Sequence, residues 1–150
     1  MGKLTFAEVK FYEKNGFLAP IDIFSEKEAN EYRDELEKLE KKYPRELEGY
    51  NRNNVHQAAT VFDKIAHCPK ILDVVESVIG PNILVAGTTL FIKEPEKRGF
   101  ISWHQDARYN GLKPYSWVTA WLALSNVTPE NGCMYMWPGS HLHGQLDHED

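Results

Sequence analysis

His104 and Asp106, two residues apart, are the side chains of this sequence best suited to binding a metal ion. Side chains alternate between the two faces of a β-strand, so a strand here would project both from the same side. An imidazole nitrogen and a carboxylate oxygen belong to the ligand set that holds Fe(II) in non-haem oxygenases. A bare H-x-D triplet is a weak signal, and by itself it favours a surface or packing role.

The segments around this pair form a pattern that is far more specific than the triplet. It consists of segment 102–106, the pair Arg108-Tyr109, and segments 117–124, 128–133 and 137–141. In this order and at these spacings, the segments resemble the phytanoyl-CoA dioxygenase family of iron(II)/2-oxoglutarate-dependent oxygenases. The resemblance extends upstream to segments 11–17, 71–76 and 80–82, so it runs along nearly the whole chain.

The resemblance implies a metal site and a reaction. Fe(II) would be held by His104, Asp106 and a distal histidine, while a distal arginine would grip the cosubstrate 2-oxoglutarate. In the family both distal residues lie well beyond the P-G-S-H motif, which ends here at His141, so we expect them after residue 150. The implied reaction is hydroxylation of an aliphatic C–H bond of a small organic substrate, with 2-oxoglutarate converted to succinate and carbon dioxide.

Three alternatives to this reaction stay open. Halogenases of the same superfamily replace the carboxylate ligand by a small residue so that a halide can bind the iron. Asp106 retains the carboxylate, which favours hydroxylation over halogenation. The chain could also be a catalytically incomplete fragment or a non-catalytic jelly-roll remnant. A cupin-like metal protein with other chemistry is the third alternative, because a fold does not fix a function.

Four further residues near the pair are candidates for the site. Trp121 matches a family tryptophan beside the cosubstrate, although a strand tryptophan is usually buried in a core. Lys93 precedes the turn into the H-x-D segment and could meet a 2-oxoglutarate carboxylate, but a solvent-exposed lysine is the commoner case. Tyr109 is a candidate for the substrate entrance. Gln105 should point away from the metal by strand alternation.

His141, His143 and His148 form a cluster near the end of the chain. If His143 or His148 were a metal ligand, this chain would complete a triad by itself. However, segment 138–140 has the composition of a turn, and the histidine of the family's P-G-S-H motif is not a metal ligand. We therefore expect structural roles for all three histidines.

Composition and charge narrow the class of protein. A chain of 150 residues with 42% hydrophobic residues can form one domain with a real core. The net charge of −5 indicates no basic surface for nucleic acid, and no apolar run has membrane-spanning length. Two cysteines are too few for a disulfide framework and the N-terminus has no signal-peptide pattern, so we expect a cytoplasmic protein. The expected partner is a small-molecule substrate, and the sequence leaves the oligomeric state open.

Helices are predicted in the first half of the chain. Thr5 with Glu8, and Ser25 with Glu28, have capping-box spacing, which predicts helices that end near residues 14 and 43. A third helix is predicted over residues 69–79, where a glycine and a proline follow.

Strands are predicted in the second half. Segments 83–92, 100–105, 117–124 and 133–137 are rich in β-branched and aromatic residues. Helices first and strands afterwards indicate an α+β domain over residues 1–150, helical to about residue 81 and β from about residue 82. The resemblance implies N-terminal helices packed on a double-stranded β-helix, or jelly roll. Such a fold has about eight strands and only about half are counted here, so we expect the C-terminal strands to be missing from this chain.

Overall fold

Helices dominate the part of the protein that the computed structural model describes, which is residues 2–93, 100–111 and 117–148. The α-helices there are α1 (Phe6–Asn15), α2 (Glu26–Lys42), α3 (Thr60–Ala66), α4 (Pro69–Ile79) and α5 (Ala107–Asn110). Short 3-10 helices lie at Gly49–Arg52, Val55–Gln57, Pro129–Asn131 and Ser140–His143. Within these described ranges, no helix is both long and apolar enough to cross a membrane.

The capping boxes predicted for α1 and α2 are both present. The Thr5 hydroxyl accepts the Glu8 N–H at 3.3 Å, while the Glu8 carboxylate accepts the Thr5 N–H at 2.8 Å. Ser25 and Glu28 form the same reciprocal pair at 3.2 and 2.7 Å. Each box satisfies N–H groups that have no partner within the helix, and this fixes where both helices begin.

The Ser25–Glu28 capping box makes the stability of α2 sensitive to acid. The Ser25 backbone N–H and the Ser25 hydroxyl both donate to the Glu28 carboxylate. These hydrogen bonds, the backbone one more strongly, lower the pKa of Glu28 from its ordinary value of 4.5. A lowered pKa adds stability that is present above the ordinary value and is lost as the pH falls through the lowered one. We expect helicity at the start of α2 to fall below about pH 4.5 for this reason.

Glu28→Gln isolates this effect, because glutamine also serves in a capping box but does not titrate. Far-UV circular dichroism between pH 7 and pH 2, compared for parent and variant, would measure it. The variant should lose less helicity in acid than the parent. Equal acid-induced losses in the two proteins would contradict the assignment.

A small core holds α2 and α3 together. Leu36 of α2 and Phe62 of α3 are buried with Val55 of the 3-10 helix between them. Leu90 and Leu124 pack against this cluster and are partly buried. These two contacts bring segments from the second half of the chain onto the helical part.

The helix predicted over residues 69–79 is α4, and its bounds are confirmed. Pro69 occupies the first turn of α4. N–H groups in the first turn have no acceptor within the helix, so the N–H that proline lacks is not needed there. Gly80 follows the last residue with φ of 82°, a conformation that L-residues rarely adopt. Helix α4 contacts α1, and the N–H of Leu4, which precedes α1, donates to the Ser77 hydroxyl at 3.0 Å.

The sheet of the second half stays a prediction. One isolated antiparallel bridge joins Asn53 to Thr89. It is flanked by hydrogen bonds from Asn54 N–H to Thr88 O at 2.6 Å and from Leu90 N–H to Arg52 O at 3.0 Å. Elsewhere in the described part of the chain, the segments predicted as strands run without an assigned strand.

Candidate metal centre

His104 and Asp106 lie immediately before α5. The backbone of Asp106 is already helical, with φ of −55° and ψ of −37°. The two side chains nevertheless meet, because His104 Nε2 lies 3.1 Å from Asp106 Oδ1. The structure therefore brings the imidazole and the carboxylate together, through a turn where the sequence predicts a strand.

The orientation of His104 is set by its own backbone segment. Its Nδ1 lies 2.8 Å from the carbonyl oxygen of Ser102. A carbonyl only accepts, so Nδ1 carries the proton and donates it. In the neutral imidazole, whose single N–H is then on Nδ1, Nε2 presents an electron pair toward the Asp106 carboxylate; in the protonated imidazole, Nε2–H donates to Asp106 Oδ1. Two electron-pair donors that face each other are suited to share a cation.

The spacing of these two atoms fits two ligands of one metal ion. Ligand atoms that each lie about 2.1 Å from a metal and at a right angle to each other are about 3.0 Å apart. The observed distance of 3.1 Å between Nε2 and Oδ1, which is also that of a direct hydrogen bond, is compatible with this geometry. Both side chains are partly exposed, at 32% and 44%, so further ligands can reach the space beside them.

Thr119 holds the other oxygen of the carboxylate. Its hydroxyl donates to Asp106 Oδ2 and accepts the Trp117 Nε1–H at 3.0 Å. Because Oδ2 is engaged in this way, Oδ1 is the oxygen left toward His104. No motif in the sequence marks Thr119 as a site residue. Strand alternation places it on the face of Trp121, and a polar residue on that face was the available signal.

Tyr109 lies beside the pair, one helical turn after it. The ring centroids of Tyr109 and His104 are 6.0 Å apart, with the rings edge to face. The side chain is 65% exposed, so it borders the site from the solvent side. This position suits the predicted place of Tyr109 at a substrate entrance, and that role stays a prediction.

Gln105 turns toward the end of the chain. Its side-chain amide and its backbone N–H bind segment 144–148, which includes His148. Both ring nitrogens of His148 are engaged in this contact, since Nε2 accepts the Gln105 N–H at 2.8 Å and Nδ1 lies 2.9 Å from Leu146 O. Within the described ranges, no third histidine, cysteine, aspartate or glutamate joins His104 and Asp106 in a group that could hold a metal.

His141 has a structural place at the end of α1. Its Nε2 lies 2.9 Å from Glu13 O, and the neighbouring Gly139 N–H donates to Asn15 O at 2.9 Å. The ring covers Gly16, where a Cβ would lie only 2.5 Å from His141 Nδ1. The P-G-S-H segment therefore packs against the C-terminal end of α1. This contact gives His141 a structural role, as predicted.

Lys93 and Trp121 are less closely tied to the pair. The Lys93 ammonium group donates to Gly132 O in the turn that follows Pro129–Asn131, and no ion pair joins it to Asp106 in the described chain. Trp121 is 44% exposed, which is more than a core tryptophan shows. The predicted cosubstrate contacts of both residues stay predictions.

Comparison with known proteins identifies the family of the chain. The family described as phytanoyl-CoA dioxygenase (PhyH) matches residues 12–150. The chain belongs to the phytanoyl-CoA dioxygenase family. That match includes the His104–Asp106 pair, Thr119 and His148.

Relatives in several animals are similar to most of the chain. Human peroxisomal phytanoyl-CoA dioxygenase is 28% identical over an alignment 169 residues long, gaps included, which covers 97% of this chain and 50% of the human protein. The bovine peroxisomal enzyme is 30% identical, over 92% of this chain and 48% of its own length. Mouse phytanoyl-CoA dioxygenase domain-containing protein 1 is 36% identical over 92 residues, which is 60% of this chain and 31% of that protein.

The chain thus spans about half the length of the peroxisomal relatives that it matches. No solved structure matches it at a comparable level of significance.

Proposed function

We propose that this protein is an Fe(II)/2-oxoglutarate-dependent dioxygenase that hydroxylates an aliphatic C–H bond of a small organic substrate. The observation that carries the proposal is the 3.1 Å spacing of His104 Nε2 and Asp106 Oδ1, which suits two adjacent ligands of one metal ion. Membership of the phytanoyl-CoA dioxygenase family supports it independently. The distal histidine and the arginine for 2-oxoglutarate that the family resemblance implies are expected after residue 150.

The residues of this chain have defined tasks in that proposal. His104 presents Nε2 because Ser102 O holds the proton of its Nδ1, and Asp106 presents Oδ1 because Thr119 engages Oδ2. Fixed second partners of this kind orient metal ligands and raise metal affinity. When Fe(II) is bound with 2-oxoglutarate and dioxygen, it supplies the oxidation that hydroxylates the substrate and yields succinate and carbon dioxide.

Other residues contribute to binding and to reaction choice. Tyr109 lines the substrate entrance, and Trp121 and Lys93 contact 2-oxoglutarate. Asp106 keeps a carboxylate on the metal, which selects hydroxylation over halogenation. The fold that surrounds the site is an α+β jelly roll with the N-terminal helices packed on it, and it excludes water from the reaction.

The proposed setting is a reducing compartment such as the cytoplasm. Cys68 and Cys133 are both free thiols, and thiols persist in a reducing compartment. The proposed partner is a small molecule; neither nucleic acid nor a membrane is required by the composition.

The test is the conversion of 2-oxoglutarate to succinate by the longest natural protein that contains this chain. Succinate should form in the presence of Fe(II) and oxygen, even slowly without the organic substrate. Chelation of the metal or removal of oxygen should each reduce the signal to background. A protein that neither binds Fe(II) nor forms succinate under these conditions would instead support the jelly-roll remnant.

A further inference from the structure

Gln105, the residue between the two proposed metal ligands, is the point where the end of the described chain attaches. Its Oε1 accepts the Leu146 N–H at 2.8 Å and the Gln145 side-chain amide at 2.9 Å. Its Nε2 donates to Gly144 O at 2.9 Å. The Gln105 side chain thereby makes three hydrogen bonds to a segment about 40 residues later in the chain.

His148 holds the backbone of the same residue. The Gln105 N–H donates to His148 Nε2 at 2.8 Å, so this nitrogen is an acceptor and the ring proton is on Nδ1. Nδ1 then donates to Leu146 O at 2.9 Å, which fixes the orientation of the ring. Neither nitrogen is left to bind a metal in this arrangement.

The ring of His148 also completes an aromatic row beside the metal pair. Its centroid lies 6.2 Å from that of Tyr109, and the Tyr109 centroid lies 6.0 Å from that of His104. Both contacts have edge-to-face geometry, with interplanar angles of 77° and 64°. Edge-to-face contacts are favourable for aromatic rings, so the row links His148 to the His104 imidazole by packing as well as through the backbone.

We propose that Gln105 and His148 are positioning residues for the metal pair, an inference that rests on the proposed function. The relative positions of His104 Nε2 and Asp106 Oδ1 depend on the backbone torsions of Gln105, the residue between the two ligands. Segment 100–106 has no assigned strand, so without an anchor these torsions would be free to vary. Hydrogen bonds to both the backbone and the side chain of Gln105 hold them before the metal arrives, which lowers the entropic cost of binding it.

This role differs from two simpler ones for His148. If His148 were a third ligand, any side chain without a metal-binding nitrogen would weaken the site. If it only folded segment 144–148 onto the protein, its loss would leave the metal pair unchanged. His148→Gln separates these cases, because the glutamine Oε1 is as many bonds from the backbone as His148 Nε2 and also accepts a hydrogen bond.

The experiment compares His148→Ala, His148→Gln and the control His143→Ala, which removes an exposed histidine from the 3-10 helix just before segment 144–148. They are made in the longest natural protein that contains this chain. Co(II) serves as the probe, with its visible absorption reporting affinity and ligand geometry. NMR hydrogen exchange of the Gln105 amide, measured without metal, reports the anchor itself.

His148→Ala should weaken Co(II) binding by about tenfold, the lower end for residues that support metal ligands. It should also alter the Co(II) spectrum and speed exchange of the Gln105 amide. His148→Gln should restore affinity, spectrum and protection, and His143→Ala should match the parent.

Parental Co(II) affinity in His148→Ala would overturn the positioning role. His148→Gln binding as weakly as His148→Ala would also overturn it and would assign His148 as a ligand. Absence of Co(II) binding in the parent itself is a different result, since it would remove the metal pair and the proposed function together with this inference.

Discussion

His104→Ala and Asp106→Ala are each expected to abolish Fe(II)-dependent turnover of 2-oxoglutarate. Each variant removes one of the two ligand atoms that lie 3.1 Å apart. Loss of a residue that merely supports a metal ligand costs up to about a hundredfold in affinity or activity, so loss of the ligand itself should cost at least that much. The measurement is succinate formation in the presence of Fe(II), together with Co(II) affinity.

Matched controls are available a short distance along the chain. His143→Ala and Asp147→Ala delete the same chemical groups at exposed positions outside the proposed site. Both should retain parental turnover.

Asp106→Gly should lose hydroxylation like Asp106→Ala, whether or not a halide is then incorporated. Undiminished succinate formation in both His104→Ala and Asp106→Ala would end the metal-pair assignment.

Local sequence patterns predicted the starts of α1 and α2 but not α3. The capping boxes of Thr5 and Ser25 involve residues only three apart, so their spacing is visible in the sequence. Helix α3 follows Ala59, which makes no side-chain cap, and its first residues include the β-branched Thr60 and Val61. Such residues favour strands, so the helical conformation of this segment depends on the packing of Phe62 against Leu36 and Val55.

The site divides in the same way. The closeness of His104 and Asp106 follows from their two-residue separation, whether the backbone between them is a strand or the observed turn. Thr119 lies 13 residues after its partner Asp106, and His148 lies 43 residues after its partner Gln105. No periodic pattern in the sequence connects residues that far apart. Only the folded chain shows the hydrogen bonds that join Thr119 to Asp106 and His148 to Gln105.

The second large effect concerns the 150-residue chain by itself, which we expect to be aggregation-prone or only partly folded. Among the described residues only Leu36, Val55 and Phe62 form the buried core. The second half exposes large apolar side chains, with Leu84 at 88% and Phe100 at 86%. Exposed apolar surface on this scale is typical of an interaction surface or an aggregation hazard.

The proposed fold gives the physical reason. In a jelly roll, the apolar faces of one sheet are buried by the opposite sheet, and paired strands satisfy each other's backbone groups. The chain spans about half the length of the peroxisomal relatives, so further strands are expected from a longer protein or from another chain. Trp103, Tyr135 and Trp137, which are 68%, 64% and 63% exposed, are residues that such strands would cover.

Size-exclusion chromatography combined with thermal unfolding would measure this. The 150-residue chain should elute as aggregates or as an expanded species and unfold without a sharp transition. The longest natural protein that contains it, if longer, is the matched control and should unfold cooperatively. A soluble monomeric 150-residue chain with a sharp transition would contradict the prediction, because a complete domain would then lie within these residues. In that case His143 and His148 would be the first residues to test as a third metal ligand.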